Sequence, residues 1–253
     1  MLSHRVIPTL LLSKGGLVKT TKFKQPKYVG DPVNAIRIFN EKEVDELVVL
    51  DIDASREGRE PDYDAIAEFA SECFMPLAYG GGIRTVKQAR TLFSLGLEKV
   101  VLQTAILDNT ELISDIAQRF GSQSVIASVD IKRDWRGRAK IWSAAKRKKL
   151  DPPWLDKLQE FVDAGAGEIL LNSVDRDGTQ QGYDNELIAT AAKALSVPVI
   201  ALGGAGKLEH LASVVESGAS AVAAGSLFVF QGPHRAVLIS YPRYSVLESL
   251  FRS

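Results

Sequence analysis

Two glycine clusters carry the plainest chemical meaning in this chain: Gly80, Gly81 and Gly82 in YGGGI, and Gly203, Gly204 and Gly206 in GGAGK. Without Cβ atoms, their backbone N–H groups can approach a ligand closely, and a following helix adds its positive N-terminal end, so each cluster suits a phosphate. Gln103-Thr104 and Gly225-Ser226 end the next apolar run in each case and add amide and hydroxyl donors. Two such cradles imply a ligand with an anionic group at each end. The alternative, that the glycines only make tight strand-to-helix turns, stays open. DRDGTQQGYD follows another apolar run and lets Asp177 and Gly178 shape a loop beside the second cradle. Turn chemistry by its short polar side chains is an equal reading.

The elements that must position these residues are visible as eight apolar, β-branched runs: VIPTLLL at 6–12, LVVLDI at 47–52, MPLAY at 75–79, KVVLQ at 99–103, VIASVDI at 125–131, EILLNSV at 168–174, VPVIAL at 197–202 and AVAAGS at 221–226. Their near-continuous hydrophobicity is that of parallel strands covered on both faces, and stretches such as DAIAEFASECF and KLEHLASVVESG have helical periodicity. Sliding the chain by 122 residues places Glu46 on Glu168, Asp53 on Asp175, Gly81 on Gly203, Gly82 on Gly204 and Thr104 on Ser226. One internal copy at about half the length predicts two four-strand halves facing each other in a closed α/β barrel, the (β/α)8 or TIM barrel, as a single domain over residues 1–253. Pro152 and Pro153 mark a loop after the basic run from Lys146 to Lys149.

Composition narrows the function classes. The chain has 253 residues, and its 31 basic side chains balance 31 acidic ones, so no broad field favours nucleic acid or an anionic membrane. An anionic ligand must be held locally. No apolar run reaches the roughly 18 residues of a membrane span, and the start lacks a signal-peptide cleavage pattern, so a cytoplasmic protein is expected. The lone Cys73 is expected as buried packing, and no metal site or cofactor is expected. His4, His210, His234 and Arg235 receive no chemistry.

RVIP, GDP, DELVVLDIDAS, YGGGI, FGSQSV, VDIKR, GAGEILLNSVDRDGTQQGYD and GGAGKLEHL together resemble the cyclase (HisF) subunit of imidazole glycerol phosphate synthase along nearly the whole chain. The resemblance implies a protein that takes ammonia from a glutaminase subunit and reacts it with a doubly phosphorylated ribulosyl substrate. Lys19, Asp51, Asp130, Asp177, Gly204 and Ser226 match positions that the family uses around its ligand. Lys19 as a solvated lysine and Asp51 as a loop-capping carboxylate are the competing readings. The family chemistry calls for two aspartates on opposite strands. Asp130 is present in VDIKR, but Leu11 stands where the first strand needs the other. Losing a general acid or base forfeits about 100- to 10,000-fold in rate, so ordinary cyclisation is not expected. Gln103 replaces a usual Asn, and SAAKRKKLDPP replaces a Gly-rich loop.

Arg5, Glu46, Lys99 and Glu168 each stand at the start of a run, two cations and two anions that can form a ring. The resemblance implies an ammonia gate there, and four solvated charges are the alternative. GGLVKTTKFKQPKYVGDP and FVFQGPHRAVLISYP resemble a divergent branch in which such a subunit passes ammonia to a sugar amidotransferase for surface polysaccharide. The final stretch also reads as a C-terminal helix docking on the barrel. A working histidine-pathway cyclase and a noncatalytic phosphate-binding scaffold that activates a glutaminase are the other expectations.

Overall fold

The computed structural model describes residues 4–232 and 234–252. Eight strands run parallel around a closed barrel: β1 (Arg5–Ser13), β2 (Leu47–Asp51), β3 (Leu77–Gly80), β4 (Lys99–Leu102), β5 (Val125–Arg133), β6 (Glu168–Ser173), β7 (Val199–Leu202) and β8 (Ala221–Ala224). Each pairs with the next, β5 with β6 among them, and β8 returns to β1 with Arg5 opposite Ala221. The expected (β/α)8 architecture is the observed one. Helices α1 (Pro32–Glu41), α2 (Tyr63–Glu72), α3 (Val86–Ser94), α4 (Glu111–Phe120), α5 (Trp154–Asp163), α6 (Asn185–Ala194), α7 (Leu208–Glu216) and α8 (Tyr244–Arg252) follow the strands in turn. None is long and apolar enough to cross a membrane.

Helix starts are written locally. Asp31, Asp62 and Asp184 each accept a backbone N–H of the first turn, and Thr85 with Gln88 closes a reciprocal capping box. The apolar faces of these helices cover the outward side chains of the strands, where Phe39, Phe161, Leu47 and Leu92 are fully buried. Burying each such side chain contributes about 1.5–3 kcal/mol. Inward side chains form a separate plug of Ile7, Val48, Val101, Ile126, Leu170 and Ile200, with small residues at Ala78, Ala221 and Ala223.

Two parts differ from the sequence expectation. After β1 the chain makes an antiparallel extension, Gly16–Thr21 and Lys24–Gly30, and after β5 another, Ala139–Ser143 and Lys148–Leu150. The basic run is partly strand, and Pro152 and Pro153 lie in the loop expected after it. Each half-barrel carries its extension after its first strand, a symmetry that Lys-rich segments hide from any hydrophobic pattern. Within the C-terminal FVFQGPHRAVLISYP, Phe228 and Val229 end a four-residue helix and Phe230–Gln231 pairs with Ala236–Val237, while the terminal helix α8 begins after the stretch and packs on α7. Cys73 is half-buried, its Sγ against Met75.

Candidate functional site

A cavity of about 510 Å³ opens at the C-terminal ends of the strands. Lys19, Asp51, Gly81, Gly82, Gln103, Thr104, Asp130, Asp177, Gly178, Gly203, Gly204, Gly225 and Ser226 all line it. Residues from both sequence halves thus meet in one space, since parallel strands deliver every strand-to-helix loop to the same barrel face. Thr104 opens a short 3-10 turn and Ser226 a four-residue helix, so both hydroxyls sit at helical starts. The glycines also answer to packing. A Cβ at Gly81 would lie 2.7 Å from the Asp51 carbonyl oxygen, and one at Gly204 would lie 2.1 Å from that of Gly182. The Gly82 N–H donates to Ser55 Oγ, so the first cradle has one donor already engaged.

Asp130 sits at the cavity floor, 6% exposed. Asn172 Nδ2 donates to its Oδ1 at 3.0 Å, and Gln103 Nε2 donates to its Oδ2. Burial pushes its carboxyl up to about 7, against the pull of those two donors. Across the barrel on β1, Leu11 lines the same cavity, in register with Leu50. Lys19 is buried rather than solvated: its Nζ donates to the Thr9 carbonyl at 2.6 Å. Burial lowers it to about 8, with Asp177 opposing. Asp177 accepts from Thr20 Oγ1 at 2.9 Å, and burial raises its carboxyl. Asp51 does cap a loop, its Oδ1 accepting the N–H groups of Asp53 and Ala54 at 2.9 and 3.0 Å. Its Oδ2 faces Arg59 at 3.4 Å.

Several cavity residues escaped the sequence reading. Thr9, Ser128 and Asn172 lie on the floor, Lys132 sits at the end of β5, and Lys22, Lys24, Arg147 and Trp142 come from the two extensions. Period-two counting from Arg5 and Glu168 reaches Thr9 and Asn172 and is the signal that finds them. The extension residues carry no such signal. Lys22, Lys24, Lys132 and Arg147 form no ion pair among the described residues. His210 accepts the Gly206 N–H on its Nδ1 at 3.2 Å.

At the opposite end the four strand-start charges meet. Arg5 pairs with Glu46 and, at 2.5 Å, with Glu168, while Lys99 lies 3.0 Å from Glu46 and 3.1 Å from Glu168. Each anion touches both cations. The ring closes below the apolar plug, and Glu46 is 3% exposed within it. Among the described residues no cluster of side chains has the make-up of a metal site.

Residues 5–234 match the family described as "Histidine biosynthesis protein". The chain is 56% identical over 249 residues to a Pseudomonas aeruginosa protein provisionally named imidazole glycerol phosphate synthase subunit hisF2, covering 98% of this chain and 99% of that one. A Leptospira interrogans protein with a similarly provisional HisF name is 49% identical, over 99% of this chain and 100% of its own. The imidazole glycerol phosphate synthase subunit HisF of Streptomyces coelicolor is 42% identical over 229 residues, 90% of this chain and 91% of that protein.

Proposed function

This chain belongs to the histidine biosynthesis protein family, among its HisF-like members, and from that premise we propose that it is a divergent cyclase-type subunit that grips a doubly anionic ligand, conducts ammonia and has lost ring closure. The observation that carries this reading is Leu11, which lines the cavity of Asp130 from the opposite strand. A single carboxylate cannot both deliver and remove protons on two faces of a reacting centre. The other cavity carboxylates are engaged elsewhere, Asp51 in capping a loop and Asp177 with Thr20.

Passage of ammonia from a glutaminase subunit is supported by the paired ring and by the apolar plug above it, which disfavour ions and admit a small neutral molecule. The acceptor we propose is a separate sugar amidotransferase serving surface polysaccharide. GGLVKTTKFKQPKYVGDP, whose resemblance suggests that branch, spans the β1 extension, and Lys22 and Lys24 of that extension line the cavity.

The purified chain, given the ribulosyl substrate and excess ammonium salt, is expected to turn over at least about 100-fold more slowly than the Streptomyces coelicolor HisF assayed in parallel. Equal turnover would overturn the loss of ring closure. A cognate glutaminase subunit is expected to hydrolyse glutamine faster when this chain is added, and no stimulation would overturn ammonia conduction. A working cyclase is the second reading, favoured by Asp130, whose near-neutral titration suits proton transfer. The turnover assay separates the two.

A further inference from the structure

Asn172 points inward on β6, in register with Asp130 on β5. One end of its carboxamide, Nδ2, donates to Asp130 Oδ1 at 3.0 Å. The other end, Oδ1, is buried with no hydrogen-bond partner among the described residues. That oxygen abuts the second cradle: a Cβ on Gly203 would stand 2.6 Å from it. Buried acceptors without donors are costly and rare. Here the unpaired acceptor also presents its partial negative charge toward the space over Gly203.

A half-turn of the carboxamide exchanges its ends. The amine then faces the cradle and the oxygen faces Asp130, which needs a proton to donate to it. Asp130 Oδ2 remains an acceptor for Gln103 in either state. We propose that Asn172 is a positioning residue of the second cradle: when a phosphate monoester binds over Gly203 the carboxamide turns, and Asp130 takes up one proton from solvent and donates it to the turned oxygen. This coupling rests on the cradle being a phosphate site.

Burial holds Asp130 at about 7, where protonation near neutral pH is within reach. The charged groups facing this centre come from every side of the cavity. Lys19, Lys22 and Lys24 reach it from the β1 extension, Asp51 from the end of β2 and Arg56 from the short helix after it, Lys132 from the end of β5 and Arg147 from its extension, and Asp177 from the loop after β6. Asp177 pushes Asp130 in the same direction as burial. Lys19, lowered to about 8, is the other group that loses charge in this range and has to be separated from Asp130.

Titration calorimetry with ribose 5-phosphate between about pH 7 and 9, where a monoester is a dianion throughout, reads affinity and, from buffers of different ionisation enthalpy, proton uptake. The native chain is expected to take up about half a proton per phosphate bound at pH 7 and about one above pH 8, with affinity falling by up to about tenfold per pH unit. Asp130→Asn supplies a neutral partner at every pH and is expected to remove most of the uptake and flatten the profile below about pH 8, where Lys19 keeps its charge. Asn172→Ala leaves Asp130 in place but uncouples it, flattening the same range. Binding without proton uptake by the native chain, or an identical profile in native chain and variants, overturns the coupling and leaves the cradle standing. No binding at any pH overturns the cradle and the coupling with it.

Discussion

At the lower mouth of the barrel Arg5, Lys99, Glu46 and Glu168 satisfy one another, whereas at the upper end Lys22, Lys24, Lys132 and Arg147 line a cavity without ion pairs among the described residues. The lower charges come from strand starts and the upper ones from strand ends and extensions, so one barrel supplies both ends. What differs is how completely the polar groups are paired. Below, four charges lose hydration together and regain it as mutual attraction, which leaves little field to hold a visiting ion. Above, Asp130 and Lys19 titrate away from their ordinary values, and Thr9 Oγ1 and Asn172 Oδ1 are buried without hydrogen-bond partners among the described residues. The four mouth charges are satisfied within the protein, whereas the cavity keeps polar groups that the protein does not pair.

Glu46→Ala breaks this contrast most severely. It leaves both cations of the mouth short of a partner, and the expected loss is about 3–5 kcal/mol, read as a lower urea midpoint with unchanged slope. A loss under about 1 kcal/mol would mean that the ring is not a coupled unit.

Next in size is Asp130→Asn. The folded carboxyl titrates near 7 and the unfolded one at about 3.9, so between those values the folded state binds more proton. Native stability attributable to this group is therefore full below about pH 4 and lost as pH rises to about 7. Relative to the native chain, the variant gains up to about 1.4 kcal/mol per pH unit across that window and nothing further above it. Urea unfolding near pH 5 and pH 8 measures the change, and an equal difference at both would exclude this ionisation as its source.

Leu11→Asp sharpens the contrast by adding the missing carboxylate. About a tenfold gain in cyclisation is expected, short of the roughly 100-fold or more that a full acid–base partner supplies, because Gln103 and the β5 extension also differ. Complete recovery in the turnover assay would show Leu11 to be the whole defect. The smallest effect belongs to Lys146→Ala on the outer rim. Lys146 meets Asp108 at 2.7 Å, but their side chains are 41% and 71% exposed, so the loss in urea unfolding should stay below about 1 kcal/mol.

The eight strands were legible because parallel strands buried on both faces leave unbroken runs such as VVL and VIAL. The glycine turns that line the cavity were legible because glycine repeats at one fixed shift. The two antiparallel extensions were not, since KQPKYVG and KKL carry mostly exposed polar side chains and their pairing depends on a neighbouring strand. Asp51 shows the limit at one residue: its type suits either ligand or loop, and only the 2.9 Å contact with the Asp53 N–H reveals the loop.

The order of polar and apolar residues alone determined the barrel, its duplication and the presence of a carboxylate on β5 facing a leucine on β1. Tertiary structure decided which polar atoms remain unpaired. Pairing is a matter of separation and burial between groups far apart in the chain, as Arg5 with Glu168 and Asn172 with Asp130 show, and no local pattern encodes that distance.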